Sequence, residues 1–201
     1  LPTASAYGAR FMAALGSANA YVDDVTDNIV KAAAFTQVIG VDSYTADIRN
    51  ADLVLLVDTS YADVATPDLA ADLQAAHAAG TPIVAIDPRL GTLASFADDW
   101  VGVNPGTELA LLLAVCNDLI RSNRYDAAFV AKNASGFEEW AASISGCTAE
   151  WAEGITGIPQ YQIESLAARI QAAAPHVAIQ YGNGSIGADA YASSGETARV
   201  V

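Results

Sequence analysis

The sequence predicts an α/β fold: a Rossmann-like parallel sheet flanked by helices, with a helical insertion around residues 125–173. Three observations carry that prediction. Two short runs, Leu53-Val54-Leu55-Leu56-Val57 and Ile83-Val84-Ala85-Ile86, are apolar throughout rather than alternating, as strands buried on both faces are. An Ala/Leu-rich stretch of helix length lies between them, giving strand, helix, strand with short connections. Each run then ends in polar turn chemistry, Asp58-Thr59-Ser60-Tyr61 and Asp87-Pro88-Arg89. In parallel sheets that edge, outside the carboxyl ends of the strands, is where ligands bind.

Taken in order, residues 3–16 carry Phe11, Met12 and Leu15 at helical spacing and close on Gly16 as a C-cap. Residues 17–28 read as an aspartate-rich loop with a helix start near Thr26 or Asp27, and 28–39 as a helix stopping at Gly40. After the 53–57 strand, Thr66-Pro67 supply an N-cap and a first-turn proline for a helix over 66–79, which Gly80 ends. Beyond the 83–86 strand, Trp100-Val101-Gly102-Val103 reads as a third short strand. The stretch 107–121 is apolar enough that its helix must be buried on most sides. Residues 125–145 read as two short helices, with Tyr125, Phe129, Phe137 and Trp140 as packing anchors. Two more helices follow at 148–157 and 159–173, and Val177 to Tyr181 is the last strand, closed by Gly182-Asn183-Gly184. Residues 1–201 are expected to be a single section of a longer polypeptide, since the chain opens at Leu1-Pro2 and stops in an unfinished helical pattern at Arg199-Val200-Val201.

Composition narrows the function classes. Hydrophobic residues make up 53% of the 201 and charged residues 16%, which supports a real core and argues against disorder. With 9 Lys+Arg against 23 Asp+Glu, the net charge of −14 makes nucleic acid and anionic membrane surfaces poor partners. No run of 18 apolar residues offers a membrane span. Cys116 and Cys147 form neither a CxxC pair nor a disulfide framework, and His77 and His176 read as structural. Gly182-x-Gly184-x-x-Gly187 matches the dinucleotide fingerprint by letter, but it follows the last strand and no ribose-binding acid follows about 20 residues on, so NAD is set aside.

Four polar or glycine-rich segments, 58–63, 87–91, 104–108 and 182–187, are thus expected on one sheet edge. Helix N-termini there can receive phosphate oxygens, and carboxylates can accept from ribose hydroxyls or a guanine edge. The sequence shows no nucleophile and base pair able to run chemistry alone.

The segments AGTPIVAIDPR, NPGTELALLLAVCNDLI, YDAAFVAKNASGFEEW and TAEWAEGITGIPQYQIESLAARI resemble, in order and spacing over about residues 47–200, the molybdopterin oxidoreductase family of dimethyl sulfoxide reductase type. That resemblance implies part of a large catalytic subunit, not active alone, that binds a molybdenum bis(molybdopterin guanine dinucleotide) cofactor. Such enzymes move an oxygen atom and two electrons, reducing S-oxides, N-oxides or nitrate. By the same resemblance, one guanine dinucleotide arm is held by Asp58, Thr59, Ser60 and Asp63 in the first loop. Asp87, Pro88 and Arg89 form the second loop, Gly106, Thr107 and Glu108 the third, and Gly182, Asn183 and Gly184 a further glycine turn. The partners the resemblance allows are the remainder of the same subunit and an electron-transfer subunit; an iron–sulfur cluster is compatible with other parts of the protein, and no cysteine set for one is present in this sequence. For the whole protein, the cell envelope or periplasm is compatible with the family.

Two departures bear on that expectation. Asp58 stands where a glycine is usual, which removes a close-approach position and adds a carboxylate that would repel a diphosphate. Glu108 stands where aspartate is usual. The metal's protein ligand would fall at about 21–30, where Asp23, Asp24 and Asp27 are available, although an ordinary acidic loop is the favoured reading of those residues. Asp58 therefore leaves open a degenerate, non-catalytic scaffold related to the large iron–sulfur subunit of NADH–quinone oxidoreductase. An independent nucleotide-binding module is a third reading.

Overall fold

The computed structural model describes residues 2–19, 26–59, 67–182 and 194–201. Their elements run α1 (Pro2–Ala14), α2 (Thr26–Ile39), a 3-10 turn (Ile48–Asn50), β1 (Leu53–Val57), α3 (Pro67–Ala79), β2 (Ile83–Ile86), α4 (Thr92–Phe96) and β3 (Asp99–Val101). They continue with α5 (Glu108–Arg121), α6 (Ala127–Asn133), α7 (Phe137–Ser143), α8 (Ala149–Thr156), α9 (Gln160–Ala173), β4 (Val177–Tyr181) and α10 (Ser194–Val200).

The described strands form one parallel sheet in the order β3-β2-β1-β4. Every residue of β1 and β2 is buried, and the pleat deals them alternately to two cores. Leu53, Leu55, Val57, Val84 and Ile86 pack with Leu111 and Val115 of α5 and Ile163 and Leu166 of α9. Val54, Leu56, Ile83 and Ala85 pack on the opposite face with Leu73 and Ala76 of α3 and Leu93 of α4. Helices on both faces are what a continuous apolar strand requires, because neither face can be left to water.

Register fixes where the strands end. Val57 pairs with both Ile86 and Tyr181, and Ile86 pairs with Val101. The residues that follow, Asp58, Asp87, Gly102 and Gly182, therefore stand in one row across the carboxyl edge. The helix expected to be buried on most sides is α5, with Ala110, Leu111, Leu112, Ala114, Val115, Asn117 and Asp118 buried.

Three expectations need correction. The third strand is Asp99–Val101 rather than 100–103, because the Val103 N–H turns back to the Val101 carbonyl at 3.0 Å. No residue of α6 or α7 is buried, so the aromatic anchors do not enter the core. Phe129 is 62% exposed, while Phe137 meets Tyr125 and Trp140 in tilted ring contacts, with centroids 5.1 and 6.5 Å apart. The five-residue α4 was not expected. His77 and His176 have structural surroundings: His77 lies on the Phe96 ring, and His176 Nδ1 is 3.1 Å from Asp52 Oδ2 at the surface. Among the described residues, no helix is long and apolar enough to cross a membrane.

The helix pair α8–α9 is locally well specified. Thr148 caps α8 by accepting the Trp151 N–H at 3.1 Å, and Gly157 ends it at φ 76°. Thr148→Ala is expected to lower stability by about 1 kcal/mol in urea unfolding, with no change in the slope of the transition.

Candidate functional site at the carboxyl edge of the sheet

Hydrogen bonding between strands runs one residue past each strand end. The Asp58 N–H donates to the Ile86 carbonyl at 2.9 Å, the Gly182 N–H to the Val57 carbonyl at 2.9 Å, and the Asp87 N–H to the Val101 carbonyl at 3.2 Å. Those three backbones are rigidly placed as a result. At Gly182 the approach is so close that a Cβ would lie 2.8 Å from the Asp58 carbonyl oxygen, which only glycine tolerates without moving backbone. Lys31 of α2 donates its Nζ to the Gly182 carbonyl at 2.5 Å, tying the first helical layer to the same point.

Asp58 has φ 50°, in the left-handed region that favours glycine. The position at which the resemblance implies a usual glycine therefore has a glycine-like backbone while carrying a carboxyl. Thr59 beside it is buried.

Asp87, although it stands at a polar strand end, is only 3% exposed. Its Oδ1 accepts the Arg89 N–H at 2.9 Å across Pro88, closing an Asx-type turn. Its carbonyl accepts the indole N–H of Trp100 at 2.8 Å. Gly106 adopts φ 78° to swing the chain into α5, and the Thr107 hydroxyl donates to the Asn104 carbonyl at 2.7 Å. Glu108, the first residue of α5, is buried.

The electrostatics join these loops into one site. Burial pushes the Asp58 carboxyl up to about 7, the Glu108 and Asp87 charges push the same way, and Arg89 opposes them. Burial also raises Glu108; backbone N–H bonds from Glu108 itself and Gly106 pull it partly back, and the Asp87 charge raises it again. The sheet thus gathers Asp58, Asp87, Arg89 and Glu108 at one edge with Thr59, Pro88, Gly106, Thr107 and Gly182. Ser60, Asp63, Asn183 and Gly184 lie outside the described residues, as do Asp23 and Asp24; Asp27 falls in α2, its side chain not described. Trp100 and Lys31 were missed from sequence, because nothing local to either residue signals a partner so far along the chain.

The donor set suits one kind of ligand. Acidic groups at a desolvated edge accept from N–H and O–H donors such as a guanine edge or ribose hydroxyls. Only Arg89 among the four charged side chains favours phosphate. Among the described residues, no group of three or more His, Cys, Asp or Glu is arranged to hold a metal ion. Cys116 and Cys147 are free thiols, and burial raises both, Cys116 to about 11, so neither is a nucleophile at neutral pH.

Residues 2–193 match the family model for molybdopterin oxidoreductase. The molybdopterin-containing subunit PhsA of thiosulfate reductase from Salmonella typhimurium is 34% identical over 171 residues, which is 85% of this chain and 22% of that protein. Dimethyl sulfoxide reductase DmsA of Haemophilus influenzae is 32% identical over 200 residues, 87% of this chain and 25% of that one. Among solved structures, acetylene hydratase from Pelobacter acetylenicus superposes with a TM-score of 0.75 at 26% identity, covering 96% of this chain and 26% of that one. The chain spans about a quarter or less of the length of these relatives. It belongs to the molybdopterin oxidoreductase family, of dimethyl sulfoxide reductase type.

Proposed function

We propose that this chain is the section of a molybdenum oxidoreductase that holds one guanine dinucleotide arm of a bis(molybdopterin guanine dinucleotide) cofactor. The observation that carries the reading is the convergence of the Asp58, Asp87 and Glu108 loops, with Gly182, on one parallel-sheet edge. When bound, the cofactor supplies oxygen-atom transfer and two-electron exchange at its metal. The residues here bind and orient: Asp87 and Glu108 accept from guanine or ribose donors, and Arg89 meets a phosphate oxygen. Asp58 and Thr59 offer backbone beside the same arm.

The carboxyl of Asp58 need not repel a diphosphate. Pushed up to about 7, it is neutral in about half of the molecules at neutral pH, and the neutral form can donate its O–H to a phosphate oxygen. That removes part of the electrostatic objection raised by its replacing a glycine. The whole subunit would reduce an S-oxide, N-oxide or nitrate-like acceptor, the remainder of the same polypeptide supplying the substrate pocket. Electrons would arrive through a partner subunit or an iron–sulfur cluster in other parts of the protein.

The test is elemental and chemical analysis of the full-length protein. Molybdenum and acid-released guanine are expected together, in the ratio the bis cofactor dictates. A folded protein containing neither would refute this reading and favour the degenerate scaffold, to which the carboxyl side chain in place of a glycine at position 58 also points.

A further inference from the structure

Trp100 sits on the edge strand β3, opposite Ala85 of β2. Its side chain reaches along the sheet edge and donates its indole N–H to the carbonyl of Asp87 at 2.8 Å. The Asp87 peptide is therefore gripped by β3 twice, since its own N–H donates to the Val101 carbonyl at 3.2 Å. With Oδ1 closing the turn onto the Arg89 N–H, the unit that presents both Asp87 and Arg89 has its orientation set by the third strand.

Room for that indole depends on one neighbouring residue. A Cβ on Gly102 would lie 2.8 Å from Cζ2 of Trp100 and 3.0 Å from Cη2. Gly102 is not among the positive-φ glycines, and the three atoms nearest to a Cβ built on it all belong to the indole. An alanine there would be relieved by swinging the ring away, and that swing breaks the bond to Asp87. Trp100 is also 40% exposed, so burial of its ring does not account for its placement.

We propose that Trp100 is a positioning residue for nucleotide binding: its indole N–H, given room by Gly102, holds the Asp87–Arg89 turn in the orientation that meets the guanine dinucleotide. This rests on the function proposed above. Trp100 touches no ligand in this account and acts through the Asp87 carbonyl. Loss of its donor leaves the turn closed by its own Asp87–Arg89 bond and still held to β3 by the Asp87 N–H, but with one fewer constraint on its tilt, so nucleotide retention suffers more than folding does.

The experiment uses the full-length, cofactor-loaded protein. Guanine retained per polypeptide is followed after gel filtration at a fixed raised temperature, and the melting of each cofactor-freed polypeptide is recorded alongside. Trp100→Phe keeps an aromatic ring and removes the donor. It is expected to release guanine about fivefold faster, the size of one net hydrogen bond, with melting little changed. Gly102→Ala is expected to do the same by displacing the ring, and the double variant to be no worse than either single one, because both break the same bond. Wild-type retention in Trp100→Phe, additive losses in the double variant, or losses that simply follow the melting temperature would each overturn the inference while leaving the proposed function standing. Absence of guanine from the wild-type protein would overturn both.

Discussion

Asp87→Asn in the full-length protein is expected to fold as well as the wild type and to lose guanine dinucleotide by about a hundredfold in affinity. The two halves of that result have separate causes. The asparagine Oδ1 can still accept the Arg89 N–H, so the turn at the end of β2 survives. One of three mutually repelling acids is also removed, which brings the Asp58 and Glu108 carboxyls back toward their ordinary range, since the Asp87 charge raises both. Stability should be equal or slightly higher. A guanine edge, by contrast, loses a charged acceptor worth about 1.5–3 kcal/mol and meets an amide N–H2 that faces its own donors. Asp87→Ala differs informatively. It removes the turn acceptor as well, leaving the Arg89 N–H without that partner, and should cost a further 1–2 kcal/mol or so in unfolding free energy. Guanine content per polypeptide and thermal unfolding, measured on all three proteins, separate the effects. Wild-type guanine content in Asp87→Asn would exclude Asp87 from the nucleotide site.

The same residue shows where sequence reasoning stops. The strands β1 and β2 were legible because four or five consecutive apolar residues between turn signals leave little alternative, and their ends located the site edge. The apolar face of α5 and the Thr148 and Gly157 boundaries of α8 were legible for equally local reasons. Burial of Asp87 was not, because its partners Val101 and Trp100 belong to a strand that the chain brings in from elsewhere. Strand β3 was displaced because Asp99 and Trp100 are exposed at the sheet edge and carry no buried-strand pattern. Phe129 was misjudged because aromatic content says that a helix can pack, not that a core lies beneath it. Asp58 is the subtlest case. Sequence marked it as a carboxylate in a glycine's place, and only its burial in the folded chain, with the gathered Glu108 and Asp87 charges adding to it, turns that carboxylate into a group that titrates near neutrality.

That titration gives the second large effect, a stability that falls as pH rises. Asp58 moves from an ordinary value of 3.8 to about 7 in the folded chain, chiefly through burial. A raised folded value means that the folded state holds the proton more tightly than the unfolded state. The associated stability is complete below about pH 4, is lost progressively as pH climbs, and is gone above about pH 7. Three units or so of shift would amount to about 4 kcal/mol, and the side chain is only partly buried, so about 2 kcal/mol is the expected size. Asp58→Asn cannot ionise. It should exceed the wild type by about 2 kcal/mol in urea unfolding of the cofactor-free protein at pH 8, and by less than half of that at pH 5. Asp58→Gly adds relief of the φ of 50°, so any advantage it holds over asparagine should be independent of pH. Glu108→Gln, which removes the largest of the charges raising Asp58, should shift the wild-type pH profile downward without abolishing it, because burial remains. A pH-independent gain in Asp58→Asn would show that the carboxyl ionises at its ordinary value. The diphosphate would then face a full negative charge at neutral pH, and the degenerate scaffold would become the better account of this sheet edge.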